Sequence, residues 1–398
     1  MLINNMLIMD IKRRFQFLKH LNNTQTAWII WLLYIVGICL VTILSGYTHT
    51  VANNYFIAAH NWLQGAELYS HSGQGFIYFP QSAIFYLPLA ALPAHVSEIV
   101  WRIINIGLFA YGIFKFSTLI NVNRPKVINY FLMMTLFTLP LAFSSARNGQ
   151  MNLLIGGLML LSVTFITQKR WWSASLLLAL GLALKPTSLV WLLLIAALYP
   201  RQMIWRLLIG IAILLIVPFF TQQPSYVLLQ YRAALDMLHD VNTISISTLY
   251  TAWAQFFTLL QTFGLKVPLT WATLIRLLAA LGTLLLCFKA KNKFDLKQAG
   301  FYLYTLATCY LLLFNPISEN NDYAILAPVL GIIAANAFVL QQYFKLLFIF
   351  LCEVVLIFTY YIATSFIPDN PSWLAPIVVI VFVIAVIRWM MQQPKSIE

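Results

Sequence analysis

The chain has 398 residues, of which 61% are hydrophobic and 9% charged, and its net charge is +13 at pH 7. Ordinary soluble domains are about 45–50% apolar and 25% charged, so these proportions exclude a water-soluble globule and define an all-α polytopic membrane protein. The positive charge is not a nucleic-acid footprint, because most Lys and Arg sit in short loops, where they fix topology and touch anionic headgroups.

Residues 1–26 hold Lys12, Arg13, Arg14 and Lys19 ahead of an apolar run. The run is too long for a cleaved signal, and no small-residue cleavage site follows it, so it reads as an uncleaved first span with a cytoplasmic N-terminus. About twelve transmembrane helices are predicted, near 27–46, 97–120, 128–146, 151–167, 172–186, 187–200, 207–220, 268–288, 298–314, 323–341, 344–364 and 371–390. Both termini are then cytoplasmic. Only Arg102, Arg147, Lys185, Arg232, Lys266 and Arg276, among 24 cations, fall away from the inner side. The whole chain is read as one integral membrane domain in the cell's inner (plasma) membrane.

Residues 47–96 form the first predicted extracytoplasmic loop. It is aromatic and polar, and no Lys or Arg occurs between Lys19 and Arg102. Residues 81–93 are apolar, but they number only 13 and include Pro88 and Pro93, so they are expected to form a surface helix, with a second one over 53–64. Residues 221–267 form a second large outer loop, with an amphipathic surface helix expected over 249–263. Residues 315–322, NPISENND, close a third.

The four cysteines, Cys39, Cys287, Cys309 and Cys352, each lie in an apolar run. They show no metal-ligand spacing and no disulfide framework. Glu353 falls in mid-span, where a carboxylate needs a partner or a proton. No metal site is assigned, and a divalent ion is left open.

This topology brings unusual groups to the outer side: Arg147, Asn148, Gln150 and Asn152 after the third span, Lys185 after the fifth, and Glu319, Asn320, Asn321 and Asp322 after the ninth. Arg147 and Lys185 are candidates to hold an anion, the first bidentately and the second as a point charge; the alternative for each is to snorkel to headgroups. Glu319 and Asp322 could equally be solvated loop acids.

Four blocks then carry a resemblance: AAHNWLQGAELY (58–69) with FIYFPQSAIFYLPLAALP (76–93), NGQMN (148–152), GLALKP (181–186) and FNPISENNDYAILAP (314–328). In this order and on one membrane side they resemble glycosyltransferase family 87, long catalogued as domain of unknown function 2029. Its known members include polyprenol-phosphate-mannose-dependent mannosyltransferases. The resemblance covers about residues 50–328.

It implies a GT-C fold, a bundle with surface helices in its first outer loop and an extracytoplasmic active site. It also implies transfer, with inversion, of a hexosyl group (mannosyl as the first choice) from a polyprenyl-phosphate-linked donor. The acceptor would be a hydroxyl of an extracytoplasmic glycan or glycolipid in the cell envelope. Membrane lipids are the other expected partners; nucleic acid is not. Arg147, Asn148, Gln150, Asn152 and Lys185 would suit the phosphate and sugar, with Tyr78, Gln81, Asn320 and Asn321 beside them. The family's acid early in the first outer loop has no counterpart in THTVANNY (48–55), because no Asp or Glu lies between Asp10 and Glu67. Glu319, followed by Asp322, is therefore the expected catalytic base, ahead of Glu67, Asp236, Asp240 and the nearby histidines. A lipid-linked-sugar flippase and a catalytically inactive relative that binds such a lipid are the competing readings.

Overall fold

The computed structural model of the protein describes residues 24–69, 75–120 and 128–394. The basic N-terminal residues, His71 and Gln74 of the first predicted loop, Arg124, Lys126 and Lys395 lie outside them. Among the described residues the chain is helical throughout, with one isolated bridge between Trp253 and Glu319 in place of any sheet.

Five helices are long and apolar enough to cross a bilayer. They are α1 (Thr24–Leu44), α4 (Ala94–Ile120), α9 (Pro200–Ile216, prolonged by a 3-10 turn to Phe220), α12 (Leu269–Lys293) and α17 (Leu374–Gln392). A sixth is the pair α15 (Tyr343–Ile357) and α16 (Thr359–Phe366), bent by 75° within the single span predicted near 344–364. Glu353 lies on α15, buried, with neither carboxylate oxygen hydrogen-bonded among the described residues.

The other predicted spans correspond to shorter or broken elements: α5 (Tyr130–Arg147), α6 (Asn152–Thr167), α7 (Trp171–Leu184), α8 (Leu189–Leu198), α13 (Leu296–Phe314) and α14 (Ala327–Val339). At 1.5 Å per residue, the 16 residues of α6 reach about 24 Å, short of a ~30 Å hydrocarbon core. Its burial explains how so apolar a helix can be short. Every residue of α6 except Phe165 and Thr167 is buried, as expected for a helix that is hydrophobic all round and packs among α4, α7 and α13 rather than against lipid.

Glycines set the closeness of that packing. A Cβ on Gly157 would sit 2.7 Å from the Leu108 carbonyl oxygen, and one on Gly112 would sit 2.8 Å from the Gly157 carbonyl oxygen. Only hydrogen side chains let α4 and α6 touch backbone to backbone, the small-residue packing common between membrane helices.

The two helices expected before Ala94 are present as α2 (Ala52–Gln64) and α3 (Pro80–Ala90). α2 buries Tyr55, Phe56 and Trp62 on one face. Tyr55 stacks on Tyr86 of α3 at 4.8 Å, and Tyr86 meets Trp101 of α4 edge-on at 5.0 Å. This aromatic pile fastens both short helices to the bundle.

The second loop differs from expectation. Most of it is one long helix, α10 (Pro224–Ser247), and the helix expected over 249–263 shrinks to α11 (Phe256–Thr262). Pro224 opens α10 at a position where its missing N–H costs nothing. The mixed polarity of α10 hid it from a search for apolar runs. Its start is tied to the first loop, since Trp62 Nε1 donates to Thr221 Oγ1 at 3.1 Å and Tyr226 OH donates to the Ala66 carbonyl at 2.6 Å.

Candidate active site

Three helix ends far apart in sequence meet at one point. α5 ends at Arg147, and Asn148 to Met151 turn the chain into α6. α7 ends at Leu184, leaving Lys185 extended before Pro186. α13 ends at Phe314, and a 3-10 helix (Asn320–Ile325) leads into α14.

The side chains form a closed ring. Lys185 Nζ donates to Asn152 Oδ1 and lies 3.3 Å from Asp322 Oδ1. Asn152 Nδ2 donates to Gln150 Oε1 at 2.7 Å, and Gln150 Nε2 donates to Glu319 Oε2 at 2.9 Å. The Glu319 backbone N–H donates to Asp322 Oδ2 at 2.8 Å, and the Glu319 carboxylate accepts in return from the Asp322 N–H, a capping box at the start of the 3-10 helix. Asn321 also donates to the Glu319 carboxylate.

Burial, and then the neighbouring Asp322 carboxylate, push the Glu319 carboxyl above the ordinary range. The hydrogen bonds from Gln150 and Asn321 and the charge of Lys185 oppose them without cancelling them. A raised carboxyl holds an accepted proton better than an ordinary glutamate does.

Two phenols face the ring. Tyr78 is pushed up to about 12 by burial, with Asp322 and Glu319 adding to the shift and a hydrogen bond from Tyr55 opposing it. Tyr55 OH and Tyr78 OH are 3.4 Å apart, and Tyr55 feels the charge of Lys185. Both stay protonated, and Tyr78, whose own proton is not used in that bond, can donate to a substrate oxygen.

The predicted residues divide accordingly. Gln150, Asn152, Lys185, Glu319, Asn321 and Asp322 come together, with Tyr78 against them. Asn320 turns away, its Nδ2 3.5 Å from the Pro371 carbonyl. Gln81 is buried on α3 with its Oε1 unpartnered among the described residues. Asn148 contributes backbone, its carbonyl accepting from Val51 N–H at 2.9 Å. The Arg147 Nε is buried without a partner among the described residues, and its carbonyl accepts from Arg102. The Glu67 carbonyl accepts from Asn61; among the described residues, no contact joins Glu67, Asp236 or Asp240 to the ring.

Sequence reasoning missed the support beneath this ring. Arg102, Asn105 and Trp101 on α4 grip the turn after α5 by its carbonyls. Arg102 donates to Arg147 O, Trp101 Nε1 to Gly149 O at 2.7 Å, and Asn105 Nδ2 to Gln150 O at 2.5 Å. Asn105 Oδ1 also accepts from Leu154 N–H at 2.6 Å, so one side chain spans the turn into α6. Arg102 is fully buried and pairs with Glu98, whose carboxylate accepts from Thr50 Oγ1 at 2.9 Å. Gly149 sits at φ +64°, and a Cβ there would lie 3.3 Å from Ala52 and 3.4 Å from the Arg102 guanidinium, so only glycine suits the turn.

Arg102→Met leaves Glu98 buried without its cation, and breaking such a pair costs about 3–5 kcal/mol. The variant is therefore expected to unfold at a markedly lower temperature in detergent than the parent, with Glu98→Gln/Arg102→Met less affected than Arg102→Met alone.

Fold and cluster together define a multi-pass helical membrane protein that gathers a raised carboxyl, amides and a lysine at the loop end of its bundle. The chain belongs to glycosyltransferase family 87, whose family model matches residues 76–316. Membership makes it a membrane glycosyltransferase, acting between a sugar donor and an acceptor. The matched span includes Tyr78, Gln150, Asn152 and Lys185 and stops just before Glu319. No curated protein matches the chain.

Proposed function

We propose that the ring is the active site of an inverting hexosyltransferase that takes a sugar, mannose first, from a polyprenyl-phosphate donor and places it on an extracytoplasmic glycan or glycolipid. The observation that carries this reading is the bond from Gln150 to Glu319 beside Lys185, which sets an acid, amides and a cation within one hydrogen-bonded circuit. In the proposed reaction Glu319 takes the proton of the acceptor hydroxyl as its oxygen attacks the anomeric carbon. The bond from that carbon to the phosphate oxygen breaks, and the departing phosphate gains negative charge. Lys185 has three donors. Two are committed to Asn152 and Asp322, and the third serves the phosphate, with the Tyr78 hydroxyl at the sugar.

The twelve-span topology belongs to the same proposal. With both termini cytoplasmic in the inner membrane, α2, α3 and α10 lie outside and the ring opens outward. The polyprenyl chain then follows a lipid-facing gap between spans. Purified protein in liposomes containing polyprenyl-phosphate-mannose should release polyprenyl phosphate and glycosylate an added glycolipid. Binding of the donor with no glycosidic bond across a panel of acceptors overturns the reading in favour of an inactive relative. Movement of the donor between leaflets without a bond being made points to a flippase.

A further inference from the structure

α13 and α14 each have the ring at one end. At their other ends they frame a cavity of about 1360 Å³, closed by the start of α15 and the end of α17. The cavity lining reaches Tyr302 on α13, about 18 Å along the helix from Phe314 at 1.5 Å per residue, so ring and cavity lie toward opposite ends of the bundle. The cavity is larger than the roughly 300–1,000 Å³ of small-ligand clefts.

Its wall is amphiphilic. Phe301, Tyr302, Phe348 and Trp389 supply an aromatic side, and Lys345 lies over the Trp389 ring at 4.1 Å. Lys297 and Lys345 sit on the lining with the amides of Gln342 and Gln392. Asp295, an acid on the lining, also caps α13, accepting from Gln298 N–H at 2.7 Å. Phe344 at the mouth is 92% exposed, as a residue facing acyl chains would be.

The charge nearby is mostly positive. Lys289, Lys291 and Lys293 close α12 at the same end, and Lys293 Nζ caps the last carbonyls of α17 at 2.9 Å. The chain's own N-terminal residues make a poor occupant, since 1–23 carry four cations against Asp10. A basic pocket between membrane helices at the positive end of a bundle is where an anionic headgroup gains most.

We propose that this cavity is a binding site for an anionic phospholipid, its phosphate held between Lys297 and Lys345 and its acyl chains against the aromatic wall. Glutamine amides serve the remaining headgroup oxygens. A zwitterionic lipid of the same chain length brings its own cation to the same rim and binds less well.

The full-length protein in mild detergent would be titrated with phosphatidylglycerol and phosphatidylcholine of identical acyl chains, with bound lipid counted by native mass spectrometry. Two lysines at about 1 kcal/mol each give roughly a 30-fold preference for the anionic lipid. Lys297→Gln/Lys345→Gln should bring the two lipids near parity, and Lys297→Arg/Lys345→Arg should keep the preference. Equal retention by the parent protein, an unchanged preference in the glutamine variant, or displacement of phosphatidylglycerol by inorganic phosphate overturns the site. Lipid retention is read without any sugar donor, so its outcome is independent of the transfer reaction proposed above.

Discussion

Glu319→Gln is expected to lower glycosyl transfer by roughly 10²–10⁴-fold, the usual share of a general base, while leaving donor binding within a few-fold of the parent. The amide keeps the size of the side chain and can still meet Gln150 and Asn321, so the fold and the donor pocket survive. Only the proton acceptor is lost. The pH profile supplies the sharper reading. The proposed reaction needs the carboxylate, so the rate should fall as pH drops through the Glu319 pKa, and that limb should lie above the ordinary glutamate range because burial and Asp322 raise it. Asp322→Asn removes one of the raising influences, so its acid limb should move to lower pH. An acid limb that stays in place in Asp322→Asn, or a Glu319→Gln variant that turns over normally, removes Glu319 from the chemistry.

Lys185→Met should act on the other half of the reaction. It removes the cation that the proposed mechanism sets against the departing phosphate, with an expected loss of roughly 10²–10³-fold by analogy with single donors to developing charge. It also removes a charge that lowers the Glu319 pKa. Its acid limb should therefore move to higher pH, opposite to Asp322→Asn. Steady-state rates with purified donor from pH 5 to 9 would check both shifts at once. Lys185→Arg should recover part of the rate, since the positive charge is kept while the geometry of the bond to Asn152 changes. Equal rates in Lys185→Met and the parent would exclude a role for this lysine in leaving-group stabilisation.

Much of this site can be read in the sequence because membranes penalise polarity. Lys185 after GLAL, the amides of NGQMN and the acids of SENND interrupt apolar runs, and such groups face a cavity or one another. They do: Lys185 lies against Asn152 and Asp322. The support from α4 was hidden because Glu98, Arg102 and Asn105 fall within a stretch that reads as one more span. A signal for it existed. Arg102, Arg147, Lys185, Arg232, Lys266 and Arg276 are the cations that the inside bias does not place, and three of the six are held by the polar partners named next. Arg102 pairs with Glu98, Lys185 joins the ring, and Arg276 donates to Asn242.

Helix number and length were harder to read, because hydropathy measures apolarity and not what covers it. α6 is apolar through contact with other helices, whereas α1 is apolar through exposure to lipid. The two give the same letters. Likewise the bend between α15 and α16 comes at Phe358, with no proline or glycine to announce it.

The ring also has a history within each chain's synthesis. Lys185 and its acid partner are 137 residues apart. At roughly 5–20 residues per second, the ribosome takes about 7–27 s to make that stretch. For that interval the lysine has Asn152 for company but no countercharge. Any chain released before Asp322 is made keeps an uncompensated cation among its helices, a defect by which membrane quality control could tell unfinished copies from complete ones.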